Sequence, residues 1–183
     1  MKKRIGLLAI ASLALTVGSA FAAKNPMVGG QEMYANKDII DNALNSADHT
    51  TLVAAVKAAG LVDTLKGTGP FTVFAPTNTA FEKLPAGTVD TLLKPENKET
   101  LTKILTYHVV PGKVTASMLK KEIKAGNGKA MLKTVSGGSL TAMMQGENIV
   151  LTDEKGGVAN VTIPNVMQSN GVIHVIDSVV QPN

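Results

Sequence analysis

Three of the four phenylalanines fall within one stretch, Phe71-Thr72-Val73-Phe74-Ala75-Pro76-Thr77-Asn78-Thr79-Ala80-Phe81. This stretch constrains the fold more than any other. Phe71 to Ala75 is apolar at odd and even positions alike, so as a strand it needs cover on both faces. Pro76 ends it. Thr77 or Thr79 can then accept a backbone N–H and open a helix, with Glu82 three residues after Thr79. Successive strand residues alternate faces, so Phe71 and Phe74 leave on opposite sides and Phe81 returns from the helix. The rings read as a clamp between a two-sided strand and the helix that covers it.

Helical periodicity dominates before this stretch and between it and residue 106. Residues 38–44 and 48–59 carry apolar stripes. Asp48 or Thr50 is a candidate cap for the second, and Gly60 stops it. Residues 95–105 form a further helix opened by Pro95. The period then changes. Tyr107-His108-Val109-Val110 reads as a strand, and after a short helical piece at 115–121 the chain is mainly β. Segments 130–135, 139–144, 148–152 and 158–163 are separated by glycine-rich hairpin signals, and a buried strand runs from Val172 to Val180. Helices first and strands later predicts an α+β architecture. Pro164 cannot donate to a ladder, which places its segment at an edge or in a connection.

Residues 1–22 read as an export signal: Lys2, Lys3 and Arg4, an apolar run, and Ser19-Ala20-Phe21-Ala22 for cleavage before Ala23. The run is too short for a membrane span, and no cysteine follows it to take a lipid. Residues 23–36 read as a loose N-terminal arm, and residues 37–183 as one domain. Of 18 basic residues three lie in the signal, leaving 15 against 14 acids. Arg4 is the sole arginine and there is no tryptophan, which argues against a nucleic-acid partner. With no cysteine, an exported chain of this kind rests on its aliphatic core rather than on disulfides. A periplasmic or extracellular monomer is expected.

Three motifs stand in order: "FTVFAPTNTAF", "YHVVPGKV" and "NGVIHVIDSVVQP", with 25 and 55 residues between them. Together they closely resemble the two conserved boxes and the Tyr-His box of the fasciclin (FAS1) domain, over residues 36–182. The resemblance implies a β-sandwich wedge with helices along one side. It also implies a cell-surface or extracellular-matrix adhesion module rather than an enzyme. In eukaryotic members the Tyr-His box has been implicated in integrin contact. Carried onto Tyr107 and His108, it makes them candidate binding residues, with one of the two exposed if they lie on a strand. The alternative is that the tyrosine packs and its hydroxyl pairs nearby.

His174 shares a strand face with Val172 and Ile176 and is expected as a buried, neutral, hydrogen-bonded imidazole. A ligand or catalytic role is the alternative. His49, His108 and His174 share no metal-like spacing, and no nucleophile elbow or phosphate loop is present. No catalytic residue, metal or cofactor is therefore assigned. Asp153-Glu154 reads as a solvated loop, and Met118, Met131, Met143 and Met144 read as core filling rather than soft-metal ligands. Lys113, Lys120, Lys121, Lys124, Lys129 and Lys133 oppose one acid, Glu122. They are either a solvated face or a patch for an anionic polysaccharide or surface, with Lys120, Lys121 and Lys124 as the candidate residues. The leading reading is a module that binds a surface partner, protein or polysaccharide. The alternative is a soluble carrier of a small apolar or anionic ligand.

Overall fold

A computed structural model describes residues 25–183; the expected export signal lies outside them. The described chain begins with a hairpin, β1 (Met27–Val28) and β2 (Gln31–Glu32). Then come α1 (Ile39–Asn45), α2 (Thr50–Ala59), α3 (Val62–Lys66), β3 (Phe71–Pro76), α4 (Asn78–Glu82), α5 (Thr88–Leu92), α6 (Lys98–Tyr107), β4 (Val109–Pro111) and α7 (Ala116–Ala125). Five strands finish it: β5 (Lys129–Lys133), β6 (Ser139–Gln145), β7 (Asn148–Thr152), β8 (Val158–Gln168) and β9 (Gly171–Ile176).

The helices begin and end for local reasons. Asp38 accepts the Asp41 N–H and opens α1. Gly60, at φ 72°, closes α2 in the left-handed region that favours glycine. Neither Asp48 nor Thr50 caps α2. A 3-10 turn at Ala47–His49 precedes it, and the cap comes from α4. Asn78 Oδ1 accepts the Thr51 N–H at 3.0 Å, while its amide donates to the Ala47 carbonyl at 2.9 Å. Thr77, not Thr79, caps α4 by accepting from the Ala80 N–H.

Seven strands form one hydrogen-bonded order, β4-β3-β9-β8-β7-β6-β5. All neighbours are antiparallel except β3 and β9, which run parallel with Phe74 opposite His174. The Val135 N–H, just past β5, donates to the Val109 carbonyl of β4 at 2.8 Å. The two ends of the sheet therefore meet, and the sheet curls into a nearly closed wedge. Gly171 starts the parallel pair because nothing larger fits: a Cβ there would lie 2.0 Å from the Phe71 carbonyl oxygen.

Curling gives the protein two cores, separated by β3 and β9. Val73, Ala75, Ile173 and Val175 face the first, which α1, α2 and α6 cover with Ile40, Leu52, Val56, Leu101 and Leu105. Phe74 and Ile176 face the second, inside the wedge, which α7 covers with Ala116, Leu119 and Ile123. Phe81 from α4 and half-buried Phe71 join the first core, on the side opposite Phe74. The fold is α+β, a nearly closed β wedge with several helices; the expected placement of the helices along one side holds for those over the first core, while α7 covers the second.

Four local expectations are corrected. Residues 25–36 are not a loose arm: Val28 and Met33 are 3% and 2% exposed in the first core. Asn42, fully buried, pairs with the Tyr34 backbone in both directions and also donates to Gln168. Tyr107-His108 is not a strand but the end of α6, with the strand starting only at Val109. Met118 and Met131 are 44% and 76% exposed, because each falls off the buried register of its element. Asp153 is buried, not solvated: Oδ1 accepts from Lys155 and Gly157 N–H, and Oδ2 from the Gln181 N–H.

Pro164 lies inside β8, beyond the three residues that pair with β7 and within a register shift opposite β9. Its missing N–H costs no ladder bond there. The following residue, Asn165, takes φ 59°. Its N–H turns to His174 and its side chain caps α7, accepting from the Ala116 N–H at 2.8 Å.

Candidate functional site

The residues singled out by sequence do not form one site. They fall into a buried junction at the end of α6, a histidine inside the wedge and an exposed basic edge. A cavity in the first core forms a fourth place.

Tyr107 and His108 are both buried, at 0% and 2% exposure, so the expected exposure of one of them does not hold. Adjacent at a helix end, they enter different cores. Tyr107 points into the wedge, where its hydroxyl donates to the Ser139 carbonyl at 2.6 Å and accepts the Glu154 N–H at 3.2 Å. Gly138 makes room, since a Cβ there would sit 2.7 Å from the Tyr107 ring. Burial pushes the phenol up to about 12. His108 turns toward the first core. Its Nδ1–H donates to the Ile104 carbonyl at 2.8 Å, and Nε2 accepts the Val180 N–H at 3.3 Å. Burial lowers its pKa to about 4, against weaker opposing effects of the Ile104 carbonyl and Asp153.

His174 is fully buried within the wedge. Its Nε2–H donates to the Val114 carbonyl at 2.8 Å and Nδ1 accepts the Asn165 N–H. Both ring nitrogens are engaged, which fixes the tautomer, and burial lowers its pKa. Among the described residues, no three His, Asp or Glu side chains gather where they could hold a metal ion.

The lysines are exposed. Ala116, Leu119 and Ile123 form the buried stripe of α7 and leave Lys120, Lys121 and Lys124 in solvent. The alternation of β5 buries Ala130 and Leu132 and turns Lys129, Met131 and Lys133 outward. Helix and strand pack together, their buried faces meeting in the second core, so the two sets lie on the outward faces of adjoining elements. Lys66 and Lys83 have carboxylate partners, but among the described residues none of the six lysines from Lys113 to Lys133 has one.

The cavity lies in the first core, between α1, α2 and α3 on one side and β3, β9 and β8 on the other. Its wall is almost wholly hydrocarbon. Val28 and Met33 of the N-terminal segment help to line it, as does His49. Sequence reading missed this place. Its lining comes from seven separate segments, and His49 carries no local pattern that marks it as a cavity residue.

The family model of the fasciclin domain matches residues 47–182. The chain is 50% identical over 145 residues to Protein sll1483 of Synechocystis sp., covering 79% of this chain and 73% of that protein. It is 38% identical over 168 residues to Immunogenic protein MPB70 of Mycobacterium bovis, covering 88% of this chain and 78% of that protein. A solved FAS1 domain pair from the insect cell adhesion molecule fasciclin I superposes with a TM-score of 0.68 at 23% identity. The overlap spans 78% of this chain and half of that one, a likeness of fold. With the family match covering most of its length and the wedge fold shared, the chain belongs to the fasciclin domain family.

Proposed function

We propose that this protein is an exported interaction module that docks an anionic polysaccharide or a similarly charged surface through the lysine edge of α7 and β5. The observation that carries this reading is the set of six exposed lysines, Lys113, Lys120, Lys121, Lys124, Lys129 and Lys133, which have no carboxylate partner among the described residues. Cations gathered on adjoining elements sum to a field that attracts a polyanion at long range. The chemistry is that of point charges. Lysine lacks the planar fork that arginine offers to a single phosphate or carboxylate, so it suits a repeated, diffuse anion rather than one shaped group. Exposed Met118 and Met131 lie among these charges and add apolar contact.

Binding rather than catalysis fits the other residues. Tyr107, His108 and His174 each spend their polar atoms on the fold. The export reading rests on the basic head, apolar run and small-residue cleavage pattern of residues 1–22.

The test is retention on a heparin column across a salt gradient, with a glycan array to identify the polymer. The combined change Lys120→Gln, Lys121→Gln and Lys124→Gln is expected to elute at clearly lower salt. Lys94→Gln, Lys98→Gln and Lys103→Gln together serve as a charge-matched control elsewhere on the surface. Equal retention of the triple variant and the parent protein refutes the lysine edge as the docking surface.

A further inference from the structure

After β9 the chain forms no further strand, yet it stays within the fold. Val179 packs against the first core, Val180 is 1% exposed in the second, and Pro182 is buried. Consecutive residues thus enter different cores. They do so beside the end of α6, where Tyr107 and His108 part in the same way, and the Val180 N–H meets His108 there. Residues 178–183 are a strap across the seam between the two cores.

The way this strap is held sets it apart from the strands. Its last three backbone N–H groups belong to Val180, Gln181 and Asn183, since a proline has none. Among the described residues, none of the three pairs with a backbone carbonyl. Each is accepted by a side chain that can take up a proton: Val180 by His108 Nε2 at 3.3 Å, Gln181 by Asp153 Oδ2 at 2.8 Å, and Asn183 by Glu154 Oε2 at 3.2 Å. A backbone ladder does not respond to pH in this range, but these bonds do. A protonated imidazole donates from both nitrogens, so protonated His108 sets N–H against N–H at Val180. A carboxylate is the stronger acceptor as an anion. The remaining charged groups at the strap are Lys103 of α6, which donates to the Asn183 carbonyl, and Lys83 after α4, which reaches Ser178 Oγ at 3.2 Å and Asp177 at 3.7 Å. Asp177, where the strap begins, is tied to Asn160 of β8.

We infer that residues 178–183 form an acid-sensitive latch, closing the seam between the cores at neutral pH and opening from it more often as His108 and Glu154 take up protons. Opening frees His108 Nε2 while its Nδ1–H keeps the Ile104 carbonyl. Both groups push in one direction. Burial holds His108 at about 4 in the closed form, against an ordinary 6.5. The Ser139 and Asn183 N–H groups hold Glu154 below its ordinary value. The open form therefore binds protons more readily, and falling pH favours it. One proton taken up makes opening about tenfold more frequent per pH unit, or about 300-fold between pH 6.5 and 4. The event is local, since β9 and α6 keep their own ladders when the strap leaves. It uses none of the six lysines of the proposed docking face.

Amide hydrogen exchange of the purified protein from pH 7 to pH 4, corrected for intrinsic exchange, tests this. The amides of Val180, Gln181 and Asn183 are expected to exchange through an opening of their own, at least about tenfold more frequent than the one that exposes Val172 and Val175 in β9. That opening should become about tenfold more frequent for each pH unit below 6.5. His108→Gln offers an acceptor that takes up no proton, and should remove most of the pH dependence at Val180. If His108→Gln does not fold, the comparison of strap and β9 amides in the parent protein still decides. Strap amides as protected as those of β9, an opening independent of pH, or an unchanged slope in folded His108→Gln overturns the proposal.

Discussion

Phe74 and His174 face each other across the parallel pair β3 and β9, with ring centroids 5.5 Å apart and 24° between their planes. The stack lies at the centre of the wedge, with Phe74 and His174 both at 0% exposure. The phenylalanine comes from the first conserved motif and the imidazole from the last, 100 positions along the chain. Their contact joins the two strands that divide the cores. His174 also reaches the Val114 carbonyl ahead of α7 and the Asn165 N–H in the β8 irregularity.

Replacing His174 by leucine keeps an apolar side chain of similar bulk and strands those two backbone groups. Each buried unpaired polar group costs about 1–3 kcal/mol, so His174→Leu should lower unfolding free energy by about 2–5 kcal/mol, read from urea denaturation. A loss below about 0.5 kcal/mol would show that the stack and its hydrogen bonds contribute nothing.

Stability should fall with acid. His108 has an ordinary value of 6.5 and is lowered to about 4 in the fold by burial; His49 and His174 shift in the same direction. Between these values the unfolded chain binds more protons than the folded one, so stability is full above pH 6.5 and declines as pH falls toward 4. A shift of this size corresponds to about 3 kcal/mol for His108 alone. Urea midpoints measured from pH 7.5 to 4 test this. His108→Gln should flatten the profile, and an unchanged slope would remove His108 as a source.

Tyr107 serves two backbone partners, the Ser139 carbonyl and the Glu154 N–H. Tyr107→Phe should therefore cost about 1–3 kcal/mol by denaturation while the ring still packs. An optical titration reports the same site. Of the two tyrosines, Tyr107 should ionise only near pH 12, and that late step should vanish in Tyr107→Phe. Persistence of the late step in the variant would contradict the burial of this phenol.

Asn170 ties the β8–β9 turn to the helical layer. Its side-chain Oδ1 accepts the Ile39 N–H at 3.1 Å, and its side-chain Nδ2 donates to the Leu65 and Gly67 carbonyls at 2.7 and 3.0 Å. Asn170→Ala leaves three backbone groups without this partner. A loss of about 2–4 kcal/mol is expected, with faster amide exchange at Ile39. Exchange at Ile39 that matches the parent protein would count against the link.

Where a pattern is local, the residues stated their structure in advance. Phe71 to Ala75 is apolar on two faces and became a strand between two cores. Gly60 ended its helix, and the glycine-rich breaks became hairpins. Local reading failed where a partner far along the chain decides. Tyr107 and His108 have strand-like composition, yet α6 continues through Tyr107, with Leu101 and Leu105 buried in the first core and Tyr107 in the second. Asp153 sits in a hairpin loop, but the chain end returns and its Gln181 N–H claims the carboxylate. Met131 is apolar, yet the register of β5 turns it out beside Lys129 and Lys133.

The sequence by itself determined that this protein is built of helices followed by strands, that β3 and β9 are covered on both faces, and that the stability of its domain comes without disulfides. These follow from periodicity, from runs of apolar residues and from the absence of cysteine, all properties of neighbours along the chain. Only the tertiary structure decided which histidines are engaged by the fold, which lysines face solvent on α7 and β5, and where the first core keeps a void. Those depend on distances between segments far apart in sequence, set when the sheet curls until β4 and β5 meet.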